Sequence, residues 1–405
     1  MSKHAPPRDT GKCPVMHTDY RADRPVLEHR ARISADREAS PFFWNDSTEH
    51  GFWMVTRYEE VLEALNMPEA FDNRQVNAFD RDMKLHLLPQ TLNGQEHRKL
   101  RGVLNPYFAP AAVKRMEDLA RERASSLIES IEPNKSVDLV NEFGMQYPTE
   151  VFLALLGLPT SDGLMFLEWV EDIFRGFFGG EEGVASATRA GERIREYFQV
   201  ALAERERNPG DPKTDLVTRL LAARIDDQPI PRDDVLTICM TLMAAGLDTT
   251  RSALGYIMHH LARFTADRQR LIDNPSDWTT AVDEFVRLYP LVIQDGRQAS
   301  QDIDFHGCPI RADDMLWLGL GSANQDPRKF EQPEKFDPER KNLRDHLGFG
   351  SGPHRCLGMH LAKAEIVIAM QEWHRRIPNY RVAPGARLTE RGGQLRIQHL
   401  PLEWD

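Results

Sequence analysis

The stretch Phe349-Gly350-Ser351-Gly352-Pro353-His354-Arg355-Cys356-Leu357-Gly358 decides how this chain is read. Glycines at this density let the backbone take positive φ and come close to a flat ligand. A helical pattern follows at once and runs through Trp373. Cys356 therefore stands where orphan backbone N–H groups and a positive dipole end face its sulfur. That setting favours the thiolate, the form of cysteine that binds metal. Two other readings compete. One is an inert buried cysteine in a glycine loop. The other is a zinc site on His354, Cys356 and His360, which lacks the paired cysteines of structural zinc.

The order Phe-Gly-x-Gly-x-His-Arg-Cys-x-Gly, filled by Phe349, Gly350, Gly352, His354, Arg355, Cys356 and Gly358, resembles the haem-binding loop of the cytochromes P-450. The resemblance implies that Cys356 is the axial ligand of the iron of heme b, whose thiolate pushes electron density toward bound oxygen. It also implies the fold: mainly α with smaller β-sheets, the haem lying between a long central helix and the helix after the cysteine loop.

That long helix is legible directly. Pro231 to Phe264 is the longest helical pattern, with Pro231 suited to the first turn and Asp233 and Asp234 near the positive dipole end. At ~1.5 Å per residue it runs about 50 Å. Its middle, Met240 to Gly246, is small and apolar, and Asp248-Thr249-Thr250 follows. A charge there is costly unless it is paired or used. Ala245-Gly246-Leu247-Asp248-Thr249-Thr250 is similar to the family's distal oxygen-binding motif. By that resemblance Ala245 and Gly246 leave room beside the haem, and Asp248 and Thr249 are the catalytic pair that delivers protons during O2 activation. Read alone, the same residues suit tight helix packing with an outward Asp.

Three further motifs stand in the family's order. His97 and Arg101 share one helix face, which alone reads as a solvated basic face and by resemblance as a clamp on haem propionates. Arg297, after Leu291-Val292-Ile293, is implied as a further clamp together with His354. Glu284 and Arg287, three apart on a helix, resemble the family's Glu-x-x-Arg, with Arg340 of Phe336-Asp337-Pro338-Glu339-Arg340 as the third, structural member. A buried cluster of this kind specifies a structure more than it stabilises it.

The rest of the chain is read in broader strokes. Pro41–Val55 suggests short strands joined at His50-Gly51, and Thr56 is a plausible cap for a helix through Asn66. Asp72–Asn93 has no clean period, and irregular segments this long are usually lids or binding loops. Residues 110–225 read as amphipathic helices, with Val151–Leu156 apolar all round and therefore buried. Phe166, Trp169, Phe174, Phe177 and Phe178 precede Gly179-Gly180; helical aromatics of this kind suit a core, and by the resemblance a glycine-hinged helix pair here matches the family's mobile roof over the substrate. The expected domains are a flexible leader over 1–25 and one catalytic domain over 26–405.

Composition narrows the partners. A net charge of −11 argues for solubility and against nucleic acid, and 41% hydrophobic residues supply a sizeable core over 405 positions. No stretch reaches the ~20 apolar residues of a membrane span, so no membrane anchor is expected. Cys13, Cys239, Cys308 and Cys356 are too few and scattered for a disulfide framework, which fits the reducing cytoplasm. With no flavin or nicotinamide fingerprint, electrons from NAD(P)H are expected through an iron–sulfur ferredoxin and its reductase. Arg74, Arg98, Lys99, Lys341 and Arg344 are candidates for a basic docking patch. The protein is expected to be a monomer.

The pocket candidates are Val76, Phe79, Leu87, Leu88, Met240, Leu242, Ala245, Val292, Ile293 and Leu395, which suit a small hydrophobic substrate. Likeness to the camphor-hydroxylating member favours a terpenoid. An aromatic or fatty-acid substrate, a peroxide-driven haem peroxygenase and a haem-based gas sensor are the alternatives, the last two having no need of Asp248-Thr249.

Overall fold

The computed structural model describes residues 9–79, 86–178 and 180–405. The elements that matter below are, in chain order, β1 (Val15–Met16), β2 (Phe42–Asn45), β3 (Phe52–Val55), α1 (Tyr58–Leu65), β4 (Phe71–Asp72) and α2 (Gly94–Phe108). They continue with α3 (Gly144–Leu155), α4 (Gly163–Phe178), α5 (Arg232–Arg263) and α6 (Trp278–Leu288). Then come β5 (Asp295–Ala299), β6 (Ile303–Phe305), β7 (Cys308–Ile310), β8 (Met315–Leu318), α7 (Met359–Arg376) and β9 (Arg396–Ile397). Two compact units result. The first holds Met1–Arg98, Asp283–Cys356 and Thr389–Leu395; the second holds Lys99–Val282, Leu357–Leu388 and Arg396–Asp405.

The first unit is built on a six-stranded sheet in the order β1-β2-β3-β8-β5-β4. Every residue of β2, β3 and β8 is buried, so these strands are covered on both faces and read as continuous apolar runs rather than alternating ones. Trp44 lies opposite Trp53 in the β2–β3 pair, and Trp317 lies opposite Gly296 in the β8–β5 pair. Gly51 makes the hairpin possible, since a Cβ there would stand 2.3 Å from the Trp44 ring. Thr56 does not cap α1; its hydroxyl donates to Ser40 O and Arg57 takes the N-cap position.

Cys13 and Cys308 form a disulfide with Cα atoms 5.8 Å apart, across 295 residues of sequence. This corrects the expectation that scattered cysteines stay reduced. Separation along the chain says nothing about separation in space, and the β6–β7 hairpin brings Cys308 to the segment just before β1.

The second unit is helical around α5, whose bounds fall within one residue of the sequence expectation at each end. Asp233 and Asp234 occupy its first turn, as the dipole argument requires. Gly246 allows α3 to approach, because a Cβ there would stand 2.9 Å from the Phe152 ring. Val151, Phe152, Leu153, Leu155 and Leu156 are buried, as expected for that apolar run. The side chains of Phe174, Phe177 and Phe178 lie outside the described residues, as does Gly179. Phe166 and Trp169 pack edge to face, centroids 5.3 Å apart. Among the described residues, no helix is long and apolar enough to cross a membrane.

Candidate active site

In the first unit the cysteine loop closes on itself. The Cys356 N–H donates to Phe349 O at 2.9 Å, and the Gly350 N–H donates to Leu347 O at 2.9 Å. Gly350 and Gly352 take φ of 68° and 66°, the left-handed region that a side chain resists. Gly352 also sits tight against α1, where a Cβ would meet Leu65 O at 2.7 Å. Around Gly350 and Gly358, by contrast, nothing lies within 4 Å of where a Cβ would stand. Cys356 is exposed and outside any disulfide, three residues before α7 begins.

The loop is tied to the buried ion cluster through one residue that the sequence did not single out. Arg287 forks onto Glu284 at 2.6 and 2.7 Å, both side chains fully buried. The same guanidinium donates to Asn324 O and Pro333 O, each at 2.9 Å. Asn324 then accepts the Leu347 N–H on its side-chain oxygen at 2.6 Å. Arg340 stands 3.6 Å from Glu284 and donates to Glu331 O at 2.5 Å. Glu284, Arg287 and Arg340 are thus brought together, and Asn324 carries their order to the residues before Cys356. A buried Asn a few residues after a strand gave no motif by which to find it.

His97, nearly fully buried, stacks its ring on His354 with centroids 4.0 Å apart. Arg101 lies one turn further along α2, half-buried. Arg297 is buried on β5, where its guanidinium meets Asp295 at 2.6 and 2.8 Å and Gly296 O at 2.8 Å. Gly296 lets the irregular segment press against this strand, since a Cβ there would stand 2.0 Å from Val76 O. Phe79 packs its ring against Phe52 and Trp317, with Arg21 above it at 5.6 Å. Leu87 and Val292 are half-buried, and Leu88, Ile293 and Leu395 are buried. The Leu395 N–H donates to Leu291 O at 2.9 Å.

In the second unit, Ala245 is exposed in the middle of α5 although Leu242, Met243, Leu247 and Asp248 around it are buried. Met240 is half-buried. The Thr249 hydroxyl donates back to Ala245 O at 2.9 Å. Asp248, 2% exposed, accepts from Arg396 at 2.5 Å, and Arg396 also forks onto Glu171 at 2.8 and 2.9 Å. Arg396 and Glu171 were missed at the level of sequence. The signal for Arg396 was a charge set between Leu395 and Ile397.

These residues fit the haem that the cysteine motif implies. An exposed thiol ends a loop whose Gly350 stands in open space, with a stacked histidine pair and a buried arginine in the same unit. The zinc alternative has no such support. Among the described residues, no group of three or more His, Cys, Asp or Glu side chains could hold a metal ion.

Comparison with known proteins agrees. Residues 181–271 and 278–377 match the sequence profile of the family described as Cytochrome P450. The chain is 32% identical over 382 residues to a probable cytochrome P450 127A1 of Sinorhizobium fredii, covering 93% of this chain and 90% of that one. It is 30% identical over 362 residues to the methyl-branched lipid omega-hydroxylase of Mycobacterium tuberculosis, covering 85% of this chain and 83% of the relative. The crystal structure of CYP101J2 is similar with a TM-score of 0.88 at 27% identity over 99% of both chains. That of CYP101C1 is similar with a TM-score of 0.87 at 27% identity, covering 96% of this chain and 97% of the other. A relative this similar over nearly the whole length, together with the closed cysteine loop and the alcohol–acid turn of the central helix, establishes that the chain belongs to the cytochrome P450 family of monooxygenases.

Proposed function

We propose that this protein hydroxylates a small hydrophobic molecule, a terpenoid by preference, using O2 and two electrons that reach it from NAD(P)H through a ferredoxin and its reductase. The observation that carries the reading is the exposed Cys356 thiol at the end of a loop held by its own backbone. Cys356 would ligate the iron of heme b, and His97, Arg101, Arg297 and His354 would hold the propionates by charge-assisted hydrogen bonds. Phe349, Gly350 and Gly358 would shape the bed on that side, and Ala245 and Gly246 would leave space on α5. When bound, the haem supplies oxygen activation and C–H oxidation. The chain's own work is to orient the substrate, exclude water and move protons at Thr249 Oγ and the Asp248 carboxylate.

Apolar Val76, Leu87, Leu88, Met240, Leu242, Val292, Ile293 and Leu395 are the proposed pocket wall, and the terpenoid class rests on the resemblance of the sequence to the camphor-hydroxylating member. A lipid substrate is the second reading, favoured by the relative named as a methyl-branched lipid omega-hydroxylase. The Asp248–Thr249 pair favours O2 over peroxide as oxidant. Arg98, Lys341 and Arg344 are exposed and suit an acidic ferredoxin, whereas Arg74 pairs with Asp72 and Lys99 with Asp226. We place the enzyme in the cytoplasm as a monomer, where the Cys13–Cys308 bond would depend on the burial of both sulfurs to persist against a reducing pool.

Two measurements test this. The reduced protein with carbon monoxide should give the red-displaced Soret band of thiolate ligation; a colourless protein overturns the haem assignment, and an unshifted band overturns Cys356 as its ligand. Terpenoids, aromatics and branched fatty acids should then be titrated into the ferric protein. The class that displaces the resting spectrum at the lowest concentration identifies the substrate.

A further inference from the structure

Arg396 shares one guanidinium between two carboxylates, and it shares it unequally. Nη1 donates to Asp248 Oδ1 at 2.5 Å and to Glu171 Oε2 at 2.9 Å, while Nη2 donates to Glu171 Oε1 at 2.8 Å. Glu171 on α4 thus receives the two-pronged fork, and Asp248 on α5 receives one hydrogen of the shared nitrogen. Arg251, one turn along α5, lies 3.3 Å from the same Glu171 carboxylate. It is itself fixed by Val140 O at 3.2 Å and Asn141 Oδ1 at 2.5 Å.

Asp248 thus meets Arg396 from β9, and Arg396 and Arg251 both meet Glu171 from α4. The side chains of Asp248, Arg396 and Arg251 are 1%, 6% and 6% exposed. Glu171, at 26%, is the member that reaches water. Burial alone would disfavour the Arg396 cation; the carboxylates of Asp248 and Glu171 outweigh it and raise Arg396 above an ordinary arginine. A buried carboxylate stripped of such a partner either takes up a proton or destabilises its surroundings.

We propose that Arg396 is a positioning residue for the monooxygenase reaction: it holds the Asp248 carboxylate ionised, and Glu171 of α4, by taking both guanidinium nitrogens, fixes where that cation stands. The proposal rests on the reading of Asp248 as the proton-handling group. It makes α4 and the acid of α5 parts of one electrostatic unit, so that a change at Glu171 is felt at Asp248 without any contact to the reacting atoms. An arginine suits the site because its planar fork meets Glu171 with two parallel hydrogen bonds while still reaching Asp248, a geometry that a lysine ammonium only approximates.

The test uses Arg396→Gln, Arg396→Lys, Glu171→Gln and Asp248→Asn in the haem-loaded protein, each first checked by its carbon-monoxide spectrum and thermal melting. Infrared spectra before and after removal of the Asp248 carboxylate identify its band without turnover. Wild type, Glu171→Gln and Arg396→Lys should show it ionised, and Arg396→Gln should show a protonated acid. In turnover, Glu171→Gln should free Arg396 from its fixed position and lower kcat with an enlarged solvent isotope effect and little change in KM, by less than the roughly 10²–10⁴-fold of losing a general acid–base group. Arg396→Lys should recover most of what Arg396→Gln loses.

An ionised Asp248 in Arg396→Gln, or wild-type kcat and isotope effect in Glu171→Gln while Asp248→Asn is impaired, overturns the shared-cation proposal and leaves the role of Asp248 standing. Wild-type coupling in Asp248→Asn overturns the role of Asp248 instead, and the infrared arm still decides whether Arg396 holds its charge. If Arg396→Gln does not fold, Arg396→Lys and Glu171→Gln carry the same decision.

Discussion

The imidazole of His97 lies on that of His354, ring centroids 4.0 Å apart and planes 30° from parallel. Two stacked imidazoles repel when both are charged, so the pair is best satisfied by an anion that both N–H groups can reach. We expect His97→Phe to keep the stack and lose the donor. Haem should then leave the protein about ten to a hundred times faster, the worth of one hydrogen bond to a charged group. Transfer of haem to an excess of scavenger measures this. A release rate equal to wild type removes His97 from the propionate set.

Asn324 joins the Glu284–Arg287 pair to the cysteine loop by accepting from Arg287 on its backbone oxygen and from Leu347 N–H on its side chain. Arg287→Leu takes the forked partner from a fully buried Glu284 carboxylate and leaves it the more distant Arg340 at 3.6 Å, which costs about 3–5 kcal/mol and should abolish haem incorporation. Asn324→Ala leaves only the Leu347 N–H without its acceptor, about 1–3 kcal/mol. The second variant should therefore fold, load haem and melt earlier. If both variants melt with wild type, the cluster does not support the loop.

The Cys13–Cys308 bond closes nearly three quarters of the chain into a loop, 295 residues apart. Alkylation of the unfolded, unreduced protein should label Cys239 and Cys356 alone, and all four cysteines after reduction. Cys308→Ser should cost about 2–5 kcal/mol in denaturant unfolding, by freeing the unfolded chain. Labelling of four thiols before reduction shows that the bond does not form in the protein as isolated.

These features differ in how far they could be read ahead. α5, the cysteine loop and the Glu284–Arg287 pair were legible because their residues are near neighbours in sequence, and helical spacing places them on one face. Arg396 beside Asp248, 148 residues away, was not legible, nor was Cys13 beside Cys308, because no local pattern encodes which distant segments meet. Phe79 shows the same limit from the other side. Its apolar character suggested a pocket wall, and it also suits the nest of Phe52 and Trp317 where its ring is packed.

Three buried groups set how stability follows pH. Burial pushes Glu365 up to about 8, with a hydrogen bond to Thr250 only partly opposing it. The folded state therefore binds a proton that the unfolded state has released, and stability falls as pH rises from the ordinary carboxylate range through about 8. Burial pushes His259 and His374 the other way, each to about 4, so their contribution is complete above the ordinary histidine range and is lost as pH falls toward 4. The windows overlap, and there the two histidines outweigh the one carboxylate, so these groups place the maximum near the ordinary histidine range. Glu365→Gln should flatten the alkaline side alone, gaining on wild type by up to a few kcal/mol at pH 8. An unchanged alkaline slope shows that Glu365 is ionised in the folded protein.

Thr249 Oγ donates to Ala245 O at 2.9 Å, four residues back along α5, and that bond must break before the hydroxyl can donate elsewhere. Thr249→Ala removes the hydroxyl while leaving a better helix former in its place, so the fold should not suffer. Without it, we expect NAD(P)H to be consumed within about twofold of the wild-type rate while product falls about tenfold or more, the scale of a lost acid–base group. The missing reducing equivalents should appear as hydrogen peroxide in the medium. Thr249→Ser keeps the oxygen and should restore most of the coupling. The ratio of product formed to NAD(P)H consumed distinguishes this from a general loss of activity, in which both would fall together. A Thr249→Ala enzyme as well coupled as wild type shows that protons reach the reacting oxygen without this side chain.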